Sequence, residues 1–139
     1  MNSYDEYQDS LRYKNGYYAF HLIIVLGLIS SILGPWAETP TLELFIIIMI
    51  AICFDSIRNT YQGAYFSKMD KPILANIALG LSGLLYLFVF FYLNENVLDS
   101  LFVDGKVSYQ AYHLILTFLQ LSIPVTYFIR LWVEKKRED

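Results

Sequence analysis

From Pro72 to Leu93 the sequence runs for 22 residues without one charged side chain. A helix of that length rises about 33 Å, at roughly 1.5 Å per residue, against a bilayer hydrocarbon core of about 30 Å. A second run of this kind covers 111–133 and carries only Arg130 among Lys, Arg, Asp and Glu. Two more apolar runs, over 17–36 and 42–61, precede them. The chain is 56% hydrophobic and 17% charged, where soluble domains average about 45–50% and about 25%, so a membrane setting is favoured over a soluble core. The reading is an all-α fold, an integral membrane bundle of four transmembrane helices forming one domain over 1–139. It has a lead-in 1–16, an outer loop 94–110 and a tail 134–139. The acidic, tyrosine-rich lead-in is wrong for a cleaved signal peptide.

The basic residues orient the bundle. If all four runs cross, Lys106 is the only one of the 10 Lys and Arg residues on its side. The positive-inside rule then makes both termini cytoplasmic. If the second run did not cross, Lys135, Lys136 and Arg137 would lie outside, so its crossing is expected even though Asp55 and Arg58 interrupt it. At i and i+3 these two share a helix face and are expected to pair, with the Arg58 stem reaching toward the headgroups. They read as an interfacial anchor, or alternatively as a partner-contacting or gating pair. Tyr61 and Tyr65 follow as interfacial aromatics, and Gly63 reads as a helix stop. The same run is apolar all round from Phe45 to Ile52, which predicts the most lipid-exposed helix.

Small and polar residues mark the faces that meet. Gly27 with Ser31 and Ser30 with Gly34 let backbones approach on the first helix. Asn76, Gly80 and Gly83 form a stripe on the third. On the fourth, His113, Thr117, Gln120, Pro124 and Tyr127 recur at steps of three or four. Pro124 frees the Gln120 carbonyl and is expected to kink the helix. Asn76 and Tyr127 share a depth and are expected to meet. Helix packing accounts for these stripes more simply than a ligand site does. Asp70 and Pro72 read as a helix start. In the outer loop, Leu98, Leu101 and Phe102 at helical spacing favour a short interfacial helix over a hairpin, and Asp104-Gly105 is a turn signal. Trp36, Tyr92, Tyr109 and Tyr112 form an outer aromatic belt; Tyr17, Tyr18 and Trp132 form an inner one.

Little in the sequence carries chemistry. One cysteine, Cys53, makes no internal disulfide, and no Cys/His cluster points to a metal, so no cofactor is expected. No basic stripe suggests nucleic acid. "GLSG", Gly80–Gly83, resembles the serine motif of rhomboid intramembrane proteases. That chemistry needs a histidine beside Ser82, and His113 is offset by about 15 Å along the membrane normal while His21 is at the opposite surface. The chain is therefore expected not to be an enzyme.

"DEYQDSLRYKNGYYAF", Asp5 to Phe20, and "SIRNTYQG", Ser56 to Gly63, are similar to the lead-in and the turn after the second span of small membrane proteins from Gram-positive bacteria. The resemblance implies a multi-pass protein of the bacterial cytoplasmic membrane. Beyond the lipid bilayer, the expected partner is a protein or a second copy. The expected function is that of a non-enzymatic accessory, regulatory or toxin-immunity protein. The alternative is a small oligomeric transporter or channel, for which the central parts of the spans lack an acidic or histidine group.

Overall fold

The computed structural model describes residues 5–66, 71–93 and 97–138. In chain order the elements are α1 (Glu6–Leu33), α2 (Pro40–Tyr61), α3 (Pro72–Leu93), α4 (Val97–Leu101), β1 (Phe102–Val103), β2 (Lys106–Val107) and α5 (Ala111–Glu138). Four of them, α1, α2, α3 and α5, are long and apolar enough to span a membrane.

Two of these helices run beyond their apolar stretches. α1 starts at Glu6, ahead of residue 17, because Asp5 and Gln8 close a capping box in which each side chain accepts from the other's backbone N–H. Its 28 residues rise about 42 Å, so the first turns project past a hydrocarbon core of about 30 Å. α5 likewise continues to Glu138 and remains helical through Pro124. α2 begins with Thr39 as N-cap and Pro40 in its first turn, and its chain leaves through Gly63 at φ +78°, the stop read from the sequence. The cap expected of Asp70 lies outside the described residues.

The four long helices form an open row. α1 packs on α2, α2 on α5 and α5 on α3; among the described residues no comparable contact joins α3 back to α1. The termini share one end of the row, where α1 begins and α2 and α5 end. The α4–hairpin segment covers the other. We call these the terminal end and the hairpin end.

This order corrects the expectation for α2. It lies inside the row and buries Leu42, Ile46, Ile47, Ala51, Ser56, Asn59 and Thr60, whereas α1 buries only Asn15 and Ala19. An all-apolar surface gives no side to prefer, and here it suits a helix with protein on two sides. The edge helices carry long exposed apolar faces, with Leu28 and Ile32 on α1 and Leu81, Leu85 and Phe88 on α3, and α2 and α5 expose apolar side chains as well, among them Leu44 and Phe118.

At the hairpin end the expected short helix occurs together with the hairpin that the sequence disfavoured. α4 leads directly into β1, and β1 pairs antiparallel with β2 across Asp104 and Gly105, at φ +50° and +74°. Positive φ at both positions is the signature of a type I′ turn, which Asp-Gly supplies at low strain. Val107 then bridges to the α1–α2 loop: its N–H donates to Trp36 O and its carbonyl accepts from Glu38 N, both at 3.0 Å. Glu43, in the first turn of α2, accepts from the backbone N–H of Trp36 at 2.8 Å and of Ala37 at 3.2 Å. Trp36 Nε1 donates to Ser30 Oγ at 2.8 Å. Ser108 Oγ donates to Ser100 O, and Tyr109 N to Glu38 Oε2 at 2.7 Å. The result is a closed cap over a small core of Ala37, Leu42 and Ile46.

Candidate functional site

The terminal end holds the densest polar arrangement in the chain. On α1, Gln8, Arg12 and Asn15 follow at steps of four and three; on α2, Asp55, Asn59 and Gln62 follow at the same steps. That spacing puts each trio on one helix face, and the α1–α2 packing turns the faces together. Asn15 is fully buried, and its Nδ2 donates at 2.8 Å to both Asn59 Oδ1 and Gln62 Oε1. Gln8 Nε2 donates to Gly63 O at 2.8 Å. From α5, Arg130 pairs with Glu134 at 2.7 Å and reaches Thr60 O at 3.4 Å. Three helices are thus tied together at this end.

Asp9, Arg12, Tyr13, Asp55 and Asn59 line a polar pocket of about 450 Å³ beside this cluster. The Asp55 carboxylate interacts with the Asn59 side chain and, through charge, with Arg12. Asn15 Oδ1, Asp55 Oδ1 and the Thr60 hydroxyl are buried without a hydrogen-bond partner, so the cluster keeps unused polar capacity.

The expected Asp55–Arg58 pair does not form. Among the described residues no ion pair joins them; the Arg58 guanidinium carbon lies 4.8 Å from the Tyr18 ring centroid and 5.4 Å from that of Phe54. Helical i,i+3 spacing permits a pair without requiring it, and an aromatic face offers the cation a partner at the membrane boundary.

The remaining candidates lie between α3 and α5. At Gly83 a side chain of α5 packs directly on α3: a Cβ there would stand 2.7 Å from Leu121 Cδ2. Gly80 faces Pro124, with 3.9 Å of room for a Cβ. Gln120 Nε2 donates to Ser82 Oγ across the interface, and Ser82 itself donates to Leu79 O at 3.0 Å. Thr117 is buried and bonds back to His113 O at 2.8 Å. The His113 ring is 3.0 Å from the Tyr86 hydroxyl. The serine of "GLSG" and the histidine therefore have separate partners.

Asn76 is fully buried, but it does not meet Tyr127. Its Nδ2 donates to Pro72 O at 2.6 Å, one turn back on its own helix, while the Tyr127 ring sits 5.9 Å from Phe66. Equal depth placed the two residues at one level without fixing their direction around the helix axes. Among the described residues no group of three or more His, Cys, Asp or Glu side chains is arranged to hold a metal ion.

Sequence reading did not single out Asn15, Asn59, Gln62, Gln8 or Glu43. The matching four–three steps on the first two helices are the signal that would have found the first four. Glu43 carried none beyond its place one residue inside the apolar run.

Four long apolar helices define this chain as an all-helical, multi-pass membrane protein. No family model, curated protein or solved structure matches it.

Proposed function

We propose that the chain is a non-enzymatic membrane protein that works by contact, as an accessory, regulatory or toxin-immunity protein of the bacterial cytoplasmic membrane with its terminal end inside. The observation that carries this reading is the open row: α3 does not close back on α1, so these two edge helices each pack on a single neighbour and keep long apolar faces uncovered by the chain itself. The inside orientation rests on the basic residues, of which, among those described, Lys106 alone belongs to the hairpin end. The bacterial setting rests on the resemblance of Asp5–Phe20 and Ser56–Gly63.

Transport is the less favoured reading, because the one amide at mid-depth on α5, Gln120, is already engaged by Ser82. Photo-crosslinking residues at Leu85 on α3 and Leu28 on α1, introduced in native membranes, test the proposal. A discrete crosslinked protein is expected from at least one edge. Lipid adducts alone from both, together with a pH- or voltage-driven flux in liposomes that Gln120→Leu abolishes, would replace it with the transport reading. Orientation is checked separately in a Cys53→Ser background: Ser100→Cys should react with an impermeant thiol reagent on intact cells and Lys71→Cys should not.

A further inference from the structure

The α3–α5 interface is tight at Gly83 and opens below it into a groove of about 720 Å³ that runs toward the terminal end. Gly80 and Leu84 of α3 and Leu121, Val125, Phe128 and Trp132 of α5 are among its lining residues. From Leu121 to Trp132 the groove follows α5 for about 16 Å, which matches the depth of one leaflet of hydrocarbon, about 15 Å. Its walls are aliphatic and aromatic along this length apart from the buried Asn76 near the foot of α3, and it opens sideways where Leu81, Val125 and Trp132 are exposed. A single acyl chain has the matching shape and chemistry.

The mouth of the groove is basic. Residues 121, 125, 128 and 132 advance by four, three and four along one face of α5, and the next step of four reaches Lys136. Its Nζ lies 4.2 Å from the Trp132 ring centroid, so the ammonium sits directly on the groove's last wall. Lys71 stands at the foot of α3, its carbonyl accepting from Ala75 N at the start of that helix, and its side chain is exposed. Lys135 and Arg137 flank Lys136. The nearby carboxylate of Glu134 is held by Arg130, which reaches toward α2 and away from the groove.

We propose that this groove is a binding site for one anionic phospholipid, with an acyl chain between α3 and α5 and the phosphate-bearing headgroup between Lys71 and Lys136. The site does not depend on the contact function proposed above. Apolar walls alone would accept any phospholipid; the two lysines select an anionic one. Each lysine near a membrane surface favours an anionic headgroup by roughly fivefold.

The two tryptophans make the test direct. In a Trp36→Phe background, Trp132 is the only indole. The protein is reconstituted in phosphatidylcholine vesicles containing a small fraction of lipid brominated near the carboxyl end of one acyl chain, as either phosphatidylglycerol or phosphatidylcholine. Quenching of Trp132 is expected to reach half-maximum at a roughly 25-fold lower fraction of brominated phosphatidylglycerol than of brominated phosphatidylcholine, the product of about fivefold from each lysine. Lys136→Gln and Lys71→Gln should each reduce that preference by roughly fivefold, and the double variant should abolish it. Gly80→Leu, which fills the groove, should weaken quenching by both lipids. Equal quenching by the two lipids, meaning annular contact only, overturns the proposal. A preference that survives both lysine changes does the same. So does the absence of quenching by either lipid, as when a second copy of the chain covers the groove.

Discussion

The two ends of the row are built on opposite principles. At the hairpin end a loop, a two-residue turn and the first turn of α2 are joined mainly through backbone groups, and Glu43 receives the N–H groups that the loop leaves over. At the terminal end the ties are made by side chains, amide to amide at Asn15 and side chain to carbonyl at Gln8 and Arg130, and three buried oxygens, two carbonyl-type and one hydroxyl, are left without a partner. Backbone ties fix a shape, since their geometry follows from the chain path. Side-chain ties hold helices together while leaving polar capacity unused. The hairpin end is accordingly the rigid part of the scaffold, and the terminal end is the part with chemistry to offer a partner or the aqueous phase.

The largest expected effect tests the cap. Glu43→Ala removes the acceptor of two backbone N–H groups, and should lower stability by about 2–4 kcal/mol, since donors left unpaired lose their full desolvation cost. Glu43→Gln, which keeps one acceptor oxygen, should recover part of it. Thermal unfolding in detergent reads both, and a cap that tolerates Glu43→Ala unchanged is not held by this residue.

Two glycines sharpen the contrast next. Gly34 and Gly63 both have positive φ, so alanine at either position is strained, by about 1–3 kcal/mol, and at Gly34 ψ of −175° adds to this because only glycine readily adopts that combination. Around Gly34 the space is open, whereas a Cβ at Gly63 would fall within 3 Å of the Arg130 guanidinium. Arg130→Ala should therefore lower the cost of Gly63→Ala and leave that of Gly34→Ala unchanged. A Gly63→Ala cost that Arg130→Ala does not alter would show that Arg130 moves aside freely.

Within the terminal cluster, Asn15→Ala strips the donor from Asn59 and Gln62 and should cost about 1–2 kcal/mol. Adding Asn59→Ala should cost less than the sum of the single changes, because one substitution removes a group that the other leaves unpaired. Strict additivity would mean that the two amides do not interact. The smallest effect belongs to Arg58: replacing it by Leu should cost about 0.5–1 kcal/mol through loss of its place over Tyr18. Tyr18→Leu should cost no more once Arg58 is gone.

What sequence reveals here divides along the same lines. The spans are legible because hydrocarbon thickness demands a minimum run of apolar residues, and the Asp104-Gly105 turn is legible because few residues accept positive φ. Gly83, a packing position by its place in the small-residue stripe, lies against the Leu121 side chain of α5. Partner choice was not legible. Asp55 and Arg58 share a face by spacing, yet the aromatic ring that takes Arg58 belongs to another helix. Asn76 and Tyr127 share a level, yet point to different neighbours. The inside place of α2 was also hidden, since a helix apolar on every side looks alike whether lipid or protein surrounds it.

The open row is the claim on which the site, the groove and the proposed function all rest. It is tested by the distance between α1 and α3, measured by pulsed electron spin resonance with spin labels at Val25 and Leu85 in a Cys53→Ser background. Both residues are exposed and lie at a similar height above the terminal end. An open row separates these helices by two to three interaxial spacings, roughly 16–30 Å at about 8–10 Å each. A distance distribution centred in that range is predicted. One centred near a single spacing, about 10 Å, would mean that α3 closes back on α1 as a compact bundle, and would contradict the account.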